Sequence, residues 1–424
     1  MCYYYYIWTI GCQMNKADSE KVASGLQQSG YRPARSIQEA DIVVLNSCVV
    51  RQSAENRVIS KLNSLVPLKK RNPDKILALA GCMVDSDTGE LRRRFPHVDI
   101  FLRPGEFAEL LEMAGSHSPA EAVEPIPITA SPSAFVTIIE GCDNFCSYCI
   151  VPYRRGRERS YPMAEICSRV QSLARSGVKE VTLLGQNVDS YGHDLPAKPG
   201  LSNLLKELNI VEGLARIRFL TSHPKDMSEE LIRAVASLDK VCEFISLPVQ
   251  AGDDGILQAM GRGYTVQDYI VLVDRIRSAV PRVALSTDVI VGFPGETQEQ
   301  FQKTLNLLTC IKFDNVHVAA YSPRPGTMAS EKLEDDVPLS EKRGRLHQVE
   351  ELQRVIASEI NARLLGQTVE ILVQGNKKGR WWGRTRTDKL VFFDDEANRL
   401  GQIVEIEIEK TSPWSLQGVL RQST

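Results

Sequence analysis

Over residues 3–115, short apolar runs alternate with longer polar stretches of helical character. "YYYYIWTIGC", "DIVVLNSC" and "KILALAGC" are rich in aromatic and β-branched residues, and each gives way to a polar, helix-like segment. That alternation predicts βα units on a parallel sheet. Residues 115–133, "GSHSPAEAVEPIPITASPS", lose all periodicity and gather Pro, Ser and Ala, as a linker does.

A second series follows. Strands are predicted at "AFVTII" (centred on 135–139), "EVTLLG" (180–185), "RIRFLT" (216–221), "FISLPV" (244–249), "LSTDVIVGF" (285–293) and "NVHVAAYS" (315–322), with helices such as 163–176 and 265–280 between them. Six strands alternating with helices predict a partial barrel of parallel strands. A charged helix over about 340–363 leads out of it. From about 366, "TVEILVQG", "GRWWGRTR", "KLVFFD", "QIVEIEIEK" and "SLQGVLR" read as five short strands of a small β-barrel. The expected class is α/β. An open parallel sheet domain spans 1–116 and a linker 117–133. A partial (β/α)6 barrel spans 134–358, and a small antiparallel, oligonucleotide-binding-like barrel 361–424.

Length agrees with several domains, since 424 residues exceed what one core usually holds. Hydrophobic content of 43% and charged content of 25% are ordinary for a globular protein. No apolar run reaches the roughly 20 residues of a membrane helix, so no membrane association is expected. The start lacks the basic flank and cleavage site of a signal peptide and reads as a first strand. A cytoplasmic chain is expected. The net charge of −2 excludes a global basic signal for nucleic acid and leaves only local patches.

Ten cysteines in such a chain are not a disulfide scaffold, and those that group suggest metal or cluster ligation. Cys142, Cys146 and Cys149 form Cys-x3-Cys-x2-Cys just beyond a predicted strand, and Gly141 lets the backbone turn there. A structural zinc site takes four protein ligands, and neither a fourth cysteine nor a histidine lies nearby. Three thiolates on a 4Fe–4S cluster leave one iron open to a small molecule. A zinc knuckle or simple packing is the alternative. Cys12, Cys48 and Cys82 each end a predicted strand, 36 and 34 residues apart, about one βα repeat each. In a parallel sheet those ends share one edge, so the three thiols are expected to converge on a second cluster, with independent packing as the alternative. Cys2, Cys167, Cys242 and Cys310 show no grouping; the last three are expected to pack as small hydrophobes.

The Cys-x3-Cys-x2-Cys loop resembles that of the radical S-adenosylmethionine superfamily, in which the open iron is chelated by S-adenosylmethionine and the reduced cluster splits it to a 5′-deoxyadenosyl radical. Tyr148 matches the aromatic residue usual before the third cysteine. The whole chain resembles the methylthiotransferase family, through "GCQMN" (11–15), "LNSCVVRQSAENRV" (45–58), "AGCM" (80–83), "GCDNFCSYCIVPYRRGRERS" (141–160), "LLGQNVDSYG" (183–192), "LPVQAGDD" (247–254), "STDVIVGFPGET" (286–297) and "AYSPRPGTMA" (320–329). The resemblance implies an auxiliary 4Fe–4S cluster on Cys12, Cys48 and Cys82, a radical cluster on Cys142, Cys146 and Cys149, and an RNA-binding TRAM tail. It implies that S-adenosylmethionine serves as both methyl donor and radical source. The target it implies is carbon 2 of isopentenyladenosine beside the anticodon of tRNA, at position 37. Two clusters serving one substrate imply that the N-terminal sheet edge caps the open end of the barrel.

Relatives acting on threonylcarbamoyladenosine or on a ribosomal-protein aspartate are alternatives, and so is a non-catalytic iron–sulfur RNA-binding protein. Gly185 is expected to admit the methionyl end of S-adenosylmethionine, with Gln186 or Asn187 bonding it, and Gly292 to admit the adenine; plain turns are the alternative at both. Residues 154–159, "RRGRER", carry a net +3, and Arg154, Arg155 and Arg157 are expected on RNA phosphate, against a solvated charge run. "KKGRWWGRTR" mixes Lys377, Lys378, Arg380, Arg384 and Arg386 with Trp381 and Trp382 and is expected to meet RNA, unless the tryptophans belong to the barrel core. Electron-donor and sulfur-donor proteins are expected partners, and a monomer the default state.

Overall fold

The structure, a computed structural model, describes residues 3–48, 52–85, 87–115 and 131–421, and only the backbone of 52 and 53. The expected linker lies outside the described residues up to position 130, as do Cys2 and the Val-Val-Arg after Cys48. The chain divides into two bodies. The first holds the N-terminal sheet with Glu140–Asp143 and Ile150–Glu158; the second holds 131–139, Asn144–Cys149 and the described chain from Arg159 onward. The cysteine loop thus contributes to both, Cys142 to the first and Cys146 and Cys149 to the second.

In the first body, β1 (Tyr4–Thr9), β2 (Arg32–Pro33), β3 (Ile42–Ser47), β4 (Ile76–Gly81) and β5 (Ile100–Leu102) form a parallel sheet in the order β2–β1–β3–β4–β5. Side chains alternate across it with period two. Val43, Leu45, Leu77 and Leu79 pack with Val58, Leu62 and Leu65 of the helix Gln52–Arg71. Ile42, Val44, Ala78 and Ala80 face Val22 and Leu26 of the helix Gln13–Gln28. Both faces are covered, which is why β3 and β4 read as unbroken apolar runs.

In the second body, β6 (Ser133–Thr137) is followed by the two-residue strands β7 (Ile139–Glu140) and β8 (Arg159–Ser160), then by β9 (Glu180–Leu184), β10 (Arg216–Phe219), β11 (Phe244–Ser246), β12 (Ala284–Val291) and β13 (Asn315–Ala320). Two parallel three-stranded sheets, β6–β9–β10 and β11–β12–β13, are linked by a parallel bridge between Ile217 and Val241 and by Ser222 N–H donating to the Ser246 carbonyl at 3.0 Å. The result is the six-stranded arc that the apolar pattern predicts. Helices Met163–Arg175 and Val266–Ala279 fall where expected. Thr265 and Asp268 cap the second reciprocally, satisfying N–H groups that a helix start leaves open.

The helix Leu339–Ala362 leads to a closed barrel of β14 (Thr368–Lys377), β15 (Arg380–Thr385), β16 (Leu390–Asp394), β17 (Ile403–Thr411) and β18 (Leu416–Leu420), the five strands foreseen, with the expected antiparallel pairing except that β16 and β18 run parallel. This barrel is fastened to the arc at the N-terminal ends of the arc's strands. Arg218, nearly fully buried, bonds Glu180 at 3.0 Å and the carbonyls of Thr385 and Arg386 at 2.5 and 2.8 Å. Arg216 reaches Glu370 and the Arg384 carbonyl, each at 2.7 Å. From the barrel side, Arg386 grips Glu243 at 2.8 Å, and Lys389 pairs with Asp314 at 2.7 Å.

Removing one member of such a layer strands a buried charge. Arg218→Met leaves Glu180 with a neutral donor, Gln374 at 3.3 Å, and the more distant Arg216 at 4.0 Å. The expected cost is about 3–5 kcal/mol in urea unfolding. A loss below about 1 kcal/mol, the range of an exposed pair, would show that the layer does not hold the barrel.

Candidate functional site

The sheet order of the first body puts the ends of β1, β3 and β4 side by side, and Cys12, Cys48 and Cys82 follow those ends. A ligand site at the C-terminal edge of such a sheet is the general expectation. Gly11, at φ +153°, sits where a Cβ would lie 2.7 Å from the Cys48 Cβ. Gly81, at φ +95°, would put one 2.4 Å from the Ser47 carbonyl. Only glycine lets these turns approach so closely. Between them runs a buried amide network. Asn15 donates to Asn46 Oδ1 at 3.0 Å and to the Ser47 carbonyl at 2.9 Å, and its own Oδ1 accepts from Cys12 Sγ at 3.2 Å. Asn46 answers with bonds to the Asn15 carbonyl and to Ser19.

The Cys12 thiol is pulled down to about 6, chiefly by a hydrogen bond with Cys48 and further by backbone N–H groups at the helix start and the nearby Arg155 guanidinium. Burial pushes Cys82 upward, with Arg155 opposing. Arg155 is itself buried and bonds the buried Asp18 at 2.8 Å. It was expected on RNA phosphate; the structure instead sets it among the thiols as their counter-charge. Arg154, mostly buried, pairs with Asp85, so of the three arginines Arg157 is the one well exposed, paired with Asp143 at 2.9 Å.

In the cysteine loop, Gly141 has φ +80°, and a Cβ there would lie 2.0 Å from the Arg157 carbonyl. Cys142 N–H donates to the Gly156 carbonyl at 3.2 Å. In the second body, Ser147 fixes the loop through its N–H to the Met260 carbonyl at 2.9 Å and its hydroxyl to the Ala259 carbonyl at 2.7 Å. Arg262 donates to Cys146 Sγ at 3.4 Å and to the Pro248 carbonyl at 2.9 Å, and lies over the Tyr264 ring. Burial holds the Tyr148 hydroxyl well above its usual range.

Two other strand ends carry closely packed glycines. A Cβ on Gly185 would lie 2.4 Å from Ile139 Cγ2, so this glycine serves strand packing. Gly292 has φ +68°, and a Cβ there would lie 2.3 Å from Lys342 Cγ, so both the turn and this neighbour require glycine. Gln186 is half-buried. Asn187 is buried, donates to Asp226 at 2.7 Å and leaves its Oδ1 unpartnered. In the tail, Lys377 and Lys378 stand exposed on a tight hairpin turn, and Arg380 lies over Phe392 while pairing with Asp394. Arg384 is tied to Asp388 and Arg386 to the docking layer. Trp381 packs on the barrel core, and Trp382 against Gly375. Cys242 is buried as expected, whereas Cys310 is exposed.

Among the described residues, no three His, Cys, Asp or Glu side chains lie close enough to hold one metal ion. A cubane makes a different demand, since each thiolate takes its own iron. Cys12, Cys48 and Cys82 fit it: three sulfurs on one sheet edge, one thiol poised to ionise, and a buried cation beside them.

A profile described as "Uncharacterized protein family UPF0004" matches residues 4–103, the radical SAM superfamily profile 136–308, and the TRAM domain profile 362–420. A tRNA-2-methylthio-N(6)-dimethylallyladenosine synthase from Dehalococcoides mccartyi is 50% identical over 416 residues, 98% of either chain. One of the same name from Chloroflexus aurantiacus is 48% identical, over 98% of this chain and 91% of its own. The chain belongs to the tRNA methylthiotransferases. Among solved structures, the radical S-adenosylmethionine methyltransferase TsrM from Kitasatospora setae, bound to cobalamin and a [4Fe-4S] cluster, has a TM-score of 0.56 at 13% identity, over 78% of this chain and 74% of its own. That likeness is one of fold. In this methylthiotransferase the three matched segments coincide with the open sheet, most of the strand arc and the small barrel. Sequence reasoning missed Asn15, Asn46, Asp18 and Arg262. Only Asn15 left a signal, three residues after Cys12, where a residue reaches back to a helix N-cap.

Two outcomes test this electrostatic picture. Arg155→Leu strands the Asp18 carboxylate and is expected to cost about 3–5 kcal/mol, while adding Asp18→Leu restores much of it. Equal stability of the single and double variants would sink the pairing. Burial also pushes the Asp189 carboxyl up to about 7, against bonds from Ser222 and the His223 N–H. The folded chain then holds a proton that the unfolded chain releases near pH 4, so this group's contribution falls as pH rises from about 4 to 7. Asp189→Asn removes the titration; its Oδ1 can accept from the His223 N–H while its amide N–H donates to the Ser222 hydroxyl, which can turn to accept. Urea unfolding should show a flatter pH dependence across that window and higher stability above it; an unchanged slope would refute the assignment.

Proposed function

We propose that this chain adds a methylthio group to carbon 2 of N6-isopentenyladenosine at tRNA position 37, with S-adenosylmethionine as both methyl donor and radical source. Half-identity along 98% of a relative bearing that activity's name carries the reading. A ring C–H offers no acidic proton, so acid–base groups alone cannot open it. Two 4Fe–4S clusters would supply, when bound, sulfur transfer at Cys12, Cys48 and Cys82 and radical generation at Cys142, Cys146 and Cys149. The chain's own part is positional: Asn15 and Asn46 hold the strand-end turns, Arg155 offsets thiolate charge, and Arg262 steadies Cys146. Tyr148, Gln186 and Asn187 are kept as contacts for S-adenosylmethionine, supported by the unpartnered Asn187 oxygen.

For RNA, Arg157, Lys377, Lys378 and Arg380 are the candidates, supported by exposure, while Arg155 and Arg386 are committed elsewhere. An electron donor and a sulfur donor complete the reaction, and the enzyme works as a cytoplasmic monomer. No helix among the described residues is long and apolar enough to cross a membrane. The deciding experiment is anaerobic turnover with S-adenosylmethionine, a reductant and isopentenyladenosine-bearing tRNA, read by nucleoside mass spectrometry. A methylthio adduct on that nucleoside is expected. 5′-Deoxyadenosine without the adduct would remove the substrate and point to threonylcarbamoyl-modified tRNA or the ribosome.

Cys12→Ala should still form 5′-deoxyadenosine yet yield no methylthio product; normal product would overturn the division of labour between the two cysteine groups. Replacing Lys377, Lys378 and Arg380 by Ala should weaken tRNA binding and flatten its salt dependence by about one log–log slope unit per lost phosphate contact, with S-adenosylmethionine cleavage unchanged. An unchanged slope would place the RNA elsewhere. Point substitutions are cleaner than removing 366–424, which would uncover Glu180, Arg216 and Arg218.

A further inference from the structure

His223 lies beyond the C-terminal end of β10 and is 5% exposed. Its Nδ1 accepts from the Lys225 backbone N–H at 3.3 Å. A nitrogen that accepts carries no proton, so the imidazole's hydrogen sits on Nε2. Nε2 is buried and has no partner. A core histidine kept for packing pairs both nitrogens, because a buried donor left open is costly. The surroundings also oppose a cationic ring: burial, Arg262 and Lys225 push its pKa down to about 2.

The open donor is tied to the cysteine loop by short contacts. The imidazole meets the Tyr264 ring edge-on at 5.9 Å. Tyr264 accepts from Arg262 at 3.0 Å, and Arg262 bonds Cys146. On the other side, the His223 N–H is held by Asp189 at 3.1 Å, and its carbonyl accepts from Asp226, the partner of Asn187. The group is thus fixed among the loops at the C-terminal strand ends, where barrel enzymes bind ligands.

We infer that His223 is a neutral hydrogen-bond donor, through Nε2, to an acceptor atom of an adenine-bearing ligand, and that it neither gives nor takes a proton in the reaction. The inference rests on the proposed function, under which both S-adenosylmethionine and the target nucleoside bring an adenine with ring-nitrogen acceptors. The shared chemistry is that ring acceptor, and the source is decided by measurement.

The test uses the full reconstituted enzyme. In His223→Gln the amide nitrogen can stand where Nε2 stood; in His223→Asn it stands where Nδ1 stood. S-adenosylmethionine Kd by equilibrium dialysis, and KM and kcat for isopentenylated tRNA, are measured for both, with iron content and melting temperature alongside. The Asn variant should lose about tenfold or more in one ligand constant, and the Gln variant should stay within about threefold of the parent, as one unmatched buried donor predicts. A rise in Kd assigns the acceptor to S-adenosylmethionine; a rise in KM alone assigns it to the target nucleoside. Equal behaviour of the two variants, or a change confined to melting temperature or iron content, overturns the inference. A parent enzyme that binds S-adenosylmethionine but makes no methylthio product would instead defeat the proposed function, leaving the Kd comparison readable.

Discussion

Parallel strand pairing is the constraint from which both cysteine groups follow. When every strand of a sheet runs the same way, every strand end lies on one edge, and so does the residue after it. In the first body this brings Cys12, Cys48 and Cys82 together from positions 36 and 34 residues apart. In the second it gathers Cys146 and Cys149, the Asn187 turn and the His223 turn at one end of the arc. Glycine supplies the local permission: Gly11, Gly81 and Gly141 take conformations and contacts closed to any other residue.

Arginine is the second recurring device. Arg155, Arg216, Arg218 and Arg262 are buried, and each binds a carboxylate, a carbonyl or a thiol rather than solvent. A guanidinium suits this work because it keeps its charge when desolvated and offers donors in several directions. Adjacent arginines therefore have separate fates. Arg155 faces inward to Asp18 while Arg157, two residues on, faces solvent.

The strands, the helices between them and the converging cysteines were legible because they depend on short-range periodicity and on strand ends, both written locally. What was not legible depends on partners far away in the chain. Asp18 and Arg155 are 137 residues apart, and Arg216 and Glu370 are 154 apart. A run such as "RRGRER" carries no mark of which member meets a buried carboxylate. In the sequence Gly185 and Gly292 read as openings for a ligand; the same letter also serves a tight packing contact, and the neighbours Ile139 and Lys342 are not visible there. Cys310 shows the converse, an apolar residue left exposed on a helix.

The docking layer has one more consequence. It fastens the small barrel to the N-terminal ends of the arc's strands, while Cys146 and Cys149 belong to the opposite end. The longest strand of the arc, β12, has eight residues and spans about 26 Å at about 3.3 Å per residue. An RNA gripped by the barrel and reacting at the cysteine loop would have to run past the flank of the arc. Under the proposed function, the length of the arc's strands would set the separation between such a grip and the reacting base. Because rigid ion pairs, and not a flexible tether, join the barrel to the arc, that distance is built into the fold.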